Sequence, residues 1–322
     1  MLVTDIKRKL KNGKEITGFY MDRWLKDNID GIPSFIKKDW DCVGIVSGHG
    51  KVRIGKSTMG MQVSYYLAWR LAGGEITSDE KGKILKVILP KKKVHFNLHE
   101  NVVFSAESLQ ETAARLYDKY GKNQVILYDE GRQGLDSARA MESINKGMED
   151  FFQECGFMGH IIIICLPNFF KLHEDYAVAR SLFLIDVFAD KEYNRGFFNF
   201  YNDRRKESLY YFGKKRIGVT AKYSATKENF WGRFYGWMPF NKEEYETKKK
   251  EEIEKKRILR RERNLMLQRD IHIYLLNKHA KYTYQEIMQK MKEVADFTIA
   301  EKTLRNSVVR VSDIISKTKG YV

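Results

Sequence analysis

The chain has 322 residues, 43% of them hydrophobic and 31% charged, with only 4 prolines. That is enough apolar mass for one large or two modest domains, and it excludes a disordered or fibrous chain. The 58 Lys and Arg against 42 Asp and Glu leave a net charge of +16, which favours a polyanionic partner, nucleic acid before an anionic membrane surface.

Residues 1–40 read as a short helical or irregular lead-in whose scattered aromatics pack on the core. A buried strand at 42–47 leads into a glycine-rich loop at 48–55. Met59, Val63, Tyr66 and Leu67 then share one face at helical spacing, and Ala72-Gly73-Gly74 ends that helix. Residues 75–100 alternate charged and apolar groups and read as a hairpin-like excursion. A short strand at 102–104 is followed by a helix over 107–120, with Leu109, Ala113, Leu116 and Tyr120 on one side. Further strands are expected at 124–128, 161–166 and 182–187, separated by a long polar helix at 136–155 and another at 169–180. This alternation predicts an α/β fold, a parallel sheet with helices on its faces. The aromatic runs FFNFY and SLYYF within 196–238 predict an antiparallel extension. From about residue 241 the composition turns to Glu, Lys and Arg without Gly or Pro, so 241–276 reads as one extended helix, followed by a small all-α unit over 279–322.

The three cysteines, Cys42, Cys155 and Cys165, show no C-x-x-C spacing. They argue against a disulfide scaffold or a structural zinc site and suit a reducing cytoplasm. No apolar h-region opens the chain, and the run Ile161 to Leu166 is far too short to cross a bilayer. A cytoplasmic location, in a host cell or associated with a virion, is therefore expected.

Gly50-Lys51-Val52-Arg53-Ile54-Gly55-Lys56-Ser57 fits the phosphate-binding pattern G-x-x-x-x-G-K-[ST] without deviation. Gly50 and Gly55 let the backbone turn its N–H groups toward a phosphate. The following helix adds its positive N-terminal end. Lys56 suits the β- and γ-phosphates of ATP, the Ser57 hydroxyl suits Mg²⁺, and Thr58 completes the cofactor-binding set.

The strand Gln124–Tyr128 ends in Asp129-Glu130. Asp129 suits the metal and Glu130 suits polarising the attacking water, a division of labour that points to a hydrolysing ATPase rather than a nucleoside kinase. Asn168, just past the strand 161–166, either senses a γ-phosphate or caps the next helix. Arg132, Arg139 and Arg180 are candidates for an arginine finger, or ordinary partners of a helix dipole. His49, His160 and His173 have no metal-ligand spacing and read as surface or satisfied core histidines.

On these residues the chain resembles the additional-strand, catalytic-glutamate P-loop ATPases. Within them it is similar to the HerA/FtsK-type DNA-pumping ATPases and their small viral and plasmid relatives, including zonular-occludens-toxin-like proteins. The order that carries the resemblance is the loop 50–57, Val102-Val103-Phe104-Ser105, Ile126-Leu127-Tyr128-Asp129-Glu130, Arg139 with Asn145-Lys146, Ile161 to Asn168, and Arg180-Ser181 before Leu184-Ile185-Asp186. Asn168 stands where the family carries a glutamine sensor. The resemblance implies ATP, Mg²⁺, assembly into a ring (often a hexamer) and DNA or a viral or plasmid protein partner as cargo. The expected organisation is a lead-in at 1–40, a P-loop ATPase domain at 41–240, a charged helix or linker at 241–278 and a helix-turn-helix-like domain at 279–322. The expected function is a Mg²⁺-dependent ATPase that translocates, packages or organises DNA for a virus, plasmid or other mobile element. The alternatives are an ATP-switch DNA-binding scaffold or regulator that does not pump, and a membrane-associated assembly or secretion ATPase.

Residues 241–322 hold 20 of the 58 basic residues and 13 acidic ones. Part of the long helix reads as a solvated face laced by i,i+4 pairs, and part can lie on phosphates. Ile287, Met291 and Val294 read as one apolar face, residues 295–298 as a turn, and Leu304, Val308 and Val311 as a second face. Lys302, Arg305, Asn306 and Arg310 then point away, toward base edges or phosphates. The alternative is a helical docking hairpin with a basic surface.

Overall fold

The computed structural model describes residues 1–9, 13–38, 40, 42–48, 53–81, 83–129, 149, 151, 156–215, 222–295 and 298–319. It divides into two compact units, Met1–Lys249 and Lys250–Val322.

The first unit does not open with an irregular lead-in. Leu2–Lys9 (β1) and Glu15–Tyr20 (β2) form an antiparallel hairpin with Val3 opposite Phe19. The sequence signal is Asn12-Gly13, a hairpin dipeptide between alternating charged and apolar residues. Val3 and Phe19 are fully buried, so the hairpin belongs to the core. Two short helices, α1 (Arg23–Ile29) and α2 (Ile32–Ile36), follow. Then come β3 (Cys42–Ser47), α3 (Lys56–Leu71) and a second hairpin of β4 (Glu75–Ser78) with β5 (Ile84–Ile88).

The remainder of this unit contains α4 (Leu98–Asn101), β6 (Val102–Val103), α5 (Ala106–Tyr120), β7 (Val125–Asp129), β8 (Ile161–Cys165), β9 (Ser181–Phe188), β10 (Phe197–Asn202), α6 (Asp203–Lys215) and β11 (Phe230–Arg233). The expected helix at 136–155 falls almost wholly outside the described residues. The central sheet has seven strands in the order β11-β10-β9-β3-β8-β7-β6. The five from β9 to β6 run parallel, and β10 and β11 add the antiparallel extension. The fold is thus mixed α/β, with a mostly parallel central sheet consistent with a P-loop NTPase-like core, and with a helical C-terminal unit. β8 lies between β3 and β7, so the strand that precedes the glycine-rich loop and the strand that ends in Asp129 are separated by one strand.

The central strands are buried on both faces, as parallel sheets require. On β7, Val125 and Leu127 face one core cluster while Ile126 and Tyr128 face the other. On β8, Ile161, Ile163 and Cys165 alternate with Ile162 and Ile164 in the same way. Helix α3 covers the first side at close range. A Cβ on Gly60 would lie 2.4 Å from Cys165 Sγ, so only glycine lets the helix pass there.

Two expectations fail for packing reasons. Residues 169–180 do not form one helix. A 3-10 turn at Phe169–Lys171 and a π turn at Asp175–Ala179 are separated by extended Leu172, whose side chain is buried and whose carbonyl accepts from Tyr210 Oη at 2.9 Å. The run SLYYF is helical, within α6, because Lys206, Leu209 and Tyr210 all turn inward at helical spacing. Among the described residues no helix is long and apolar enough to cross a membrane.

In the second unit, α7 (Lys242–Tyr274), which begins in the first unit, is followed by a π turn at Leu275–His279, α8 (Tyr284–Ala295) and α9 (Glu301–Lys319). Thr283 and Glu286 form a capping box at the start of α8. Ile273, Ile287, Ile299, Leu304 and Val308 make the core. Val294, expected on the apolar face, is 86% exposed; Ile299, beyond the turn, is buried instead.

His160 is the satisfied core histidine expected. Its Nδ1 accepts from Gln124 N at 3.0 Å and its Nε2 donates to Ala113 O at 3.1 Å. Burial lowers its pKa from 6.5 to about 4, against the opposing pull of the Ala113 carbonyl. The unfolded chain therefore takes up this proton near pH 6.5 and the folded chain only near pH 4. The stability that neutral His160 contributes is complete above pH 6.5 and is lost as pH falls to about 4, on the order of 3 kcal/mol. Urea denaturation across this range should show that slope, and His160→Asn should remove it.

Candidate functional site

The carboxyl ends of four parallel strands lie at one level across the sheet. Ser47 pairs with Asp186, Val46 with Cys165, and Asp129 with Cys165. Open parallel sheets bind ligands outside this edge, and β3 leads from it toward α3. Gly50, Lys51 and Val52 fall outside the described residues. Arg53 (φ 59°) and Gly55 (φ 105°) both have left-handed backbone. Gly55 is the N-cap of α3 and supplies no side-chain cap, so the first N–H groups of a 16-residue helix face outward with their dipole. A Cβ on Gly55 would also lie 2.8 Å from Phe234 Cζ.

Lys56, Ser57 and Thr58, the first turn of α3, are half-buried. Cys165 Sγ points at Lys56 O from 3.5 Å. Burial pushes the Lys56 ammonium below the ordinary lysine value; Asp129 and Asp186 pull it back, and Lys249 adds to the lowering. Ser57 Oγ donates to Asp129 Oδ1 at 3.1 Å. The predicted metal pair, 72 residues apart in sequence, is therefore brought into direct contact.

Asp129 is 2% exposed. Besides Ser57 it has two partners that sequence reasoning missed, both on the first turns of α7. Tyr245 Oη donates to Oδ2, and Lys249 Nζ lies 2.9 Å from the same oxygen. Burial, then the Asp129 charge, push the Tyr245 phenol far above its usual range. Their only sequence signal is the i,i+4 spacing of a tyrosine and a lysine in a charged helix. Asp186 was also missed as a site residue. It stands at the end of β9 opposite Ser47, fully buried, a lone carboxylate in the apolar run Leu182 to Phe188.

The oxygen set of Ser57 and Asp129 fits Mg²⁺, which takes one or two protein oxygens and completes its shell from phosphates and water. Among the described residues no three His, Cys, Asp or Glu gather to hold a metal on their own. A cation already stands against Asp129, the Lys249 ammonium, so the geometry accommodates positive charge there.

Glu130, Arg132 and Arg139 lie outside the described residues, as do Asn145 and Lys146. Asn168 is half-buried beyond the end of β8, and its Oδ1 accepts from Phe170 N at 3.0 Å. It caps the turn Phe169–Lys171. Arg180 precedes β9 at the opposite edge of the sheet, where Ser181 pairs with Val43. With about 3.3 Å per strand residue its backbone lies more than ~13 Å from the loop end of β3. Fully buried Lys206 fixes that corner, donating to Val178 O at 3.0 Å and Ser181 Oγ at 2.8 Å.

In the C-terminal unit Lys302, Arg305, Asn306 and Arg310 lie on the exposed face of α9. Two of them have partners within the unit. Arg305 is held by Glu301, with Nε 2.9 Å from Oε1. Arg310 Nη1 lies 2.8 Å from Oδ2 of Asp270, whose side chain is fully buried; Oδ1 of Asp270 accepts from Ser307 at 2.8 Å and Arg269 at 2.8 Å. Burial alone would raise the Asp270 carboxyl. The Arg269 and Ser307 hydrogen bonds and the Arg310 charge outweigh it and hold the pKa below the usual range. Arg310 is thus a partner of the fold, a role its position on a basic face did not reveal.

No protein-family model and no curated protein matches the chain. Among solved structures it is similar to the N-terminal domain of zonular occludens toxin from Neisseria meningitidis, at 11% identity and a TM-score of 0.30, over 51% of this chain and 85% of that one. A likeness at that level carries no argument about function.

Arg310→Ala should therefore lower the stability of the C-terminal unit by roughly 1–2 kcal/mol, less than for a fully buried pair because the arginine is 58% exposed. Arg305→Ala should lower it less, because its pair with Glu301 and its contact over the Tyr284 ring lie at the exposed surface. Chemical denaturation followed by circular dichroism checks both, and equal effects would contradict the distinction.

Proposed function

We propose that this chain is a Mg²⁺-dependent ATPase that uses the β3–α3 loop as its nucleotide site and translocates, packages or organises DNA for a virus, plasmid or other mobile element. The observation that carries the reading is the Ser57–Asp129 contact at the carboxyl edge of the sheet, directly below the first turn of α3. The backbone N–H groups of the loop and of α3 bind the phosphates. Lys56 neutralises the β- and γ-phosphates, and its burial leaves that charge less screened than in open solvent. Ser57 and Asp129 would hold Mg²⁺, which when bound supplies charge neutralisation on the same phosphates. Glu130, next in sequence after Asp129, orients the attacking water and takes its proton. Asn168 stands beyond the adjacent strand end, where its amide serves the γ-phosphate. Arg180, at the far edge, acts only on a neighbouring copy in a ring, with Arg139 the second choice for that role.

A polyanionic cargo is supported by the charge of +16 and by Lys302 and Arg305 on the exposed face of α9. A second reading, an ATP switch that binds DNA without pumping, is favoured by the contact of Tyr245 and Lys249 with Asp129. That contact ties the metal site to the helix leading into the C-terminal unit, and a switch needs such a tie but no turnover.

Lys56→Ala should weaken nucleotide binding and abolish hydrolysis. Glu130→Gln should still bind ATP but hydrolyse it about a hundredfold more slowly or worse. A coupled phosphate-release assay, with fluorescent nucleotide binding alongside, measures both. Wild-type turnover in Lys56→Ala would remove the nucleotide site from this loop. DNA-stimulated turnover separates the pump from the switch.

Lys302→Ala and Arg305→Ala should each make the log–log salt dependence of DNA binding shallower by about 0.9 if the residue contacts one phosphate. If Arg305 reads a base, preference at one position should relax by roughly 1–3 kcal/mol. Arg310→Ala is a poor probe, since it disturbs the fold. Unchanged affinity and slope in both variants would assign α9 to docking or self-association.

A further inference from the structure

The first turns of α7 are fixed against the nucleotide edge of the sheet by more than one side chain. Asn241 caps the helix, accepting from Glu243 N at 2.7 Å. Lys248 Nζ donates to Leu98 O at 2.7 Å and Val102 O at 2.8 Å. His99 Nε2 lies 2.7 Å from Glu244 Oε1. The Tyr245 ring packs on Phe104 at 5.9 Å between centroids, and Tyr245 is 4% exposed. This frame delivers the Tyr245 hydroxyl and the Lys249 ammonium together to Oδ2 of Asp129, with Nζ and Oη 2.8 Å apart. Oδ1 is taken by Ser57.

A divalent cation on Ser57 and Asp129 would draw on the same carboxylate that Lys249 and Tyr245 now engage. Its charge would also stand within a few ångströms of the Lys249 ammonium, with Lys56 close by. Two cations at such a separation repel one another more strongly than they would in open solvent. The metal and Lys249 therefore compete for the charge of Asp129.

We propose that Lys249, oriented by Tyr245, is a residue of the metal–nucleotide site: an intramolecular cation that competes with the divalent cation for Asp129, so that binding of the metal with a nucleoside triphosphate lifts the first turns of α7 from the carboxylate. This rests on the reading of the β3–α3 loop as a metal–nucleotide site. It makes Lys249 a positioning residue with two states, on Asp129 or displaced from it. Metal affinity is then set by residues more than a hundred positions away from the motifs that form the site.

The test uses the full chain, Mn²⁺ as a paramagnetic probe and a fluorescent ATP analogue. Mn²⁺ binding in the presence of the analogue is read by electron paramagnetic resonance, and analogue binding with and without chelator is read by fluorescence. Lys249→Ala should bind Mn²⁺ about tenfold more tightly than wild type, or better, because a competing charge is gone. Lys249→Gln keeps the aliphatic stem without the charge and should show the same gain, whereas Lys249→Arg should resemble wild type. Tyr245→Phe should give a smaller gain. Binding of the analogue in chelator should not improve in any variant, since removing a positive charge cannot favour a polyphosphate. A wild-type chain that binds the metal–nucleotide while the Ala and Gln variants gain nothing, or bind it less tightly, overturns this proposal alone; weaker binding would make Lys249 a phosphate-binding lysine. Failure of every chain to bind the analogue, with or without Mn²⁺, overturns the nucleotide site and this proposal together.

Discussion

A carboxylate with almost no exposure, Asp129, governs the arrangement of the first unit. Burying an ionised group without compensation is expensive, so its oxygens must be met by donors or by positive charge. Here the donors come from two parts of the chain and meet the carboxylate on a third. β7 carries the carboxylate, Ser57 on the first turn of α3 supplies one hydrogen bond, and Tyr245 and Lys249 on α7 supply the others. The requirement of one side chain thus joins the start of the covering helix, a central strand and a segment more than a hundred residues later.

That arrangement works only because the sheet places the strand ends side by side. β8 intervenes between β3 and β7, and its register brings Cys165 level with both Val46 and Asp129. α3 must then cross β8 at close range, which Gly60 permits over Cys165. The same edge holds Asp186 and Ser47, so acidic, hydroxyl and amine groups converge where the strands stop, while both faces of the sheet are filled by branched and aromatic side chains. Polar chemistry at the rim and apolar packing on the faces are the two consequences of burying a parallel sheet on both sides.

The C-terminal unit repeats the theme on a smaller scale. Its core is a handful of aliphatic side chains, and a second buried carboxylate, Asp270, is met by Arg269, Ser307 and Arg310. An arginine on an outer helical face is therefore partly committed to the interior. The basic character of α9 that remains at the surface lies in Lys302 and in Arg305, the latter paired with Glu301 and set over the Tyr284 ring.

The sequence by itself determined the central strands, the helices at 56–71 and 106–120, the long charged helix and the loop whose Lys56 and Ser57 approach Asp129. These follow from local pattern: hydrophobic period, glycine placement and a strand that ends in acid. It also carried, unheeded, the Asn-Gly signal of the first hairpin. Only the tertiary structure decided the rest. Whether SLYYF is strand or helix depended on what lay beneath Lys206, Leu209 and Tyr210. Whether Asn168 caps a turn, and on which edge Arg180 stands, depended on strand direction. Tyr245 and Lys249 were illegible because a buried charge recruits its partners by proximity in space, and nothing in a run of Glu and Lys marks which lysine folds back onto a carboxylate 120 residues earlier.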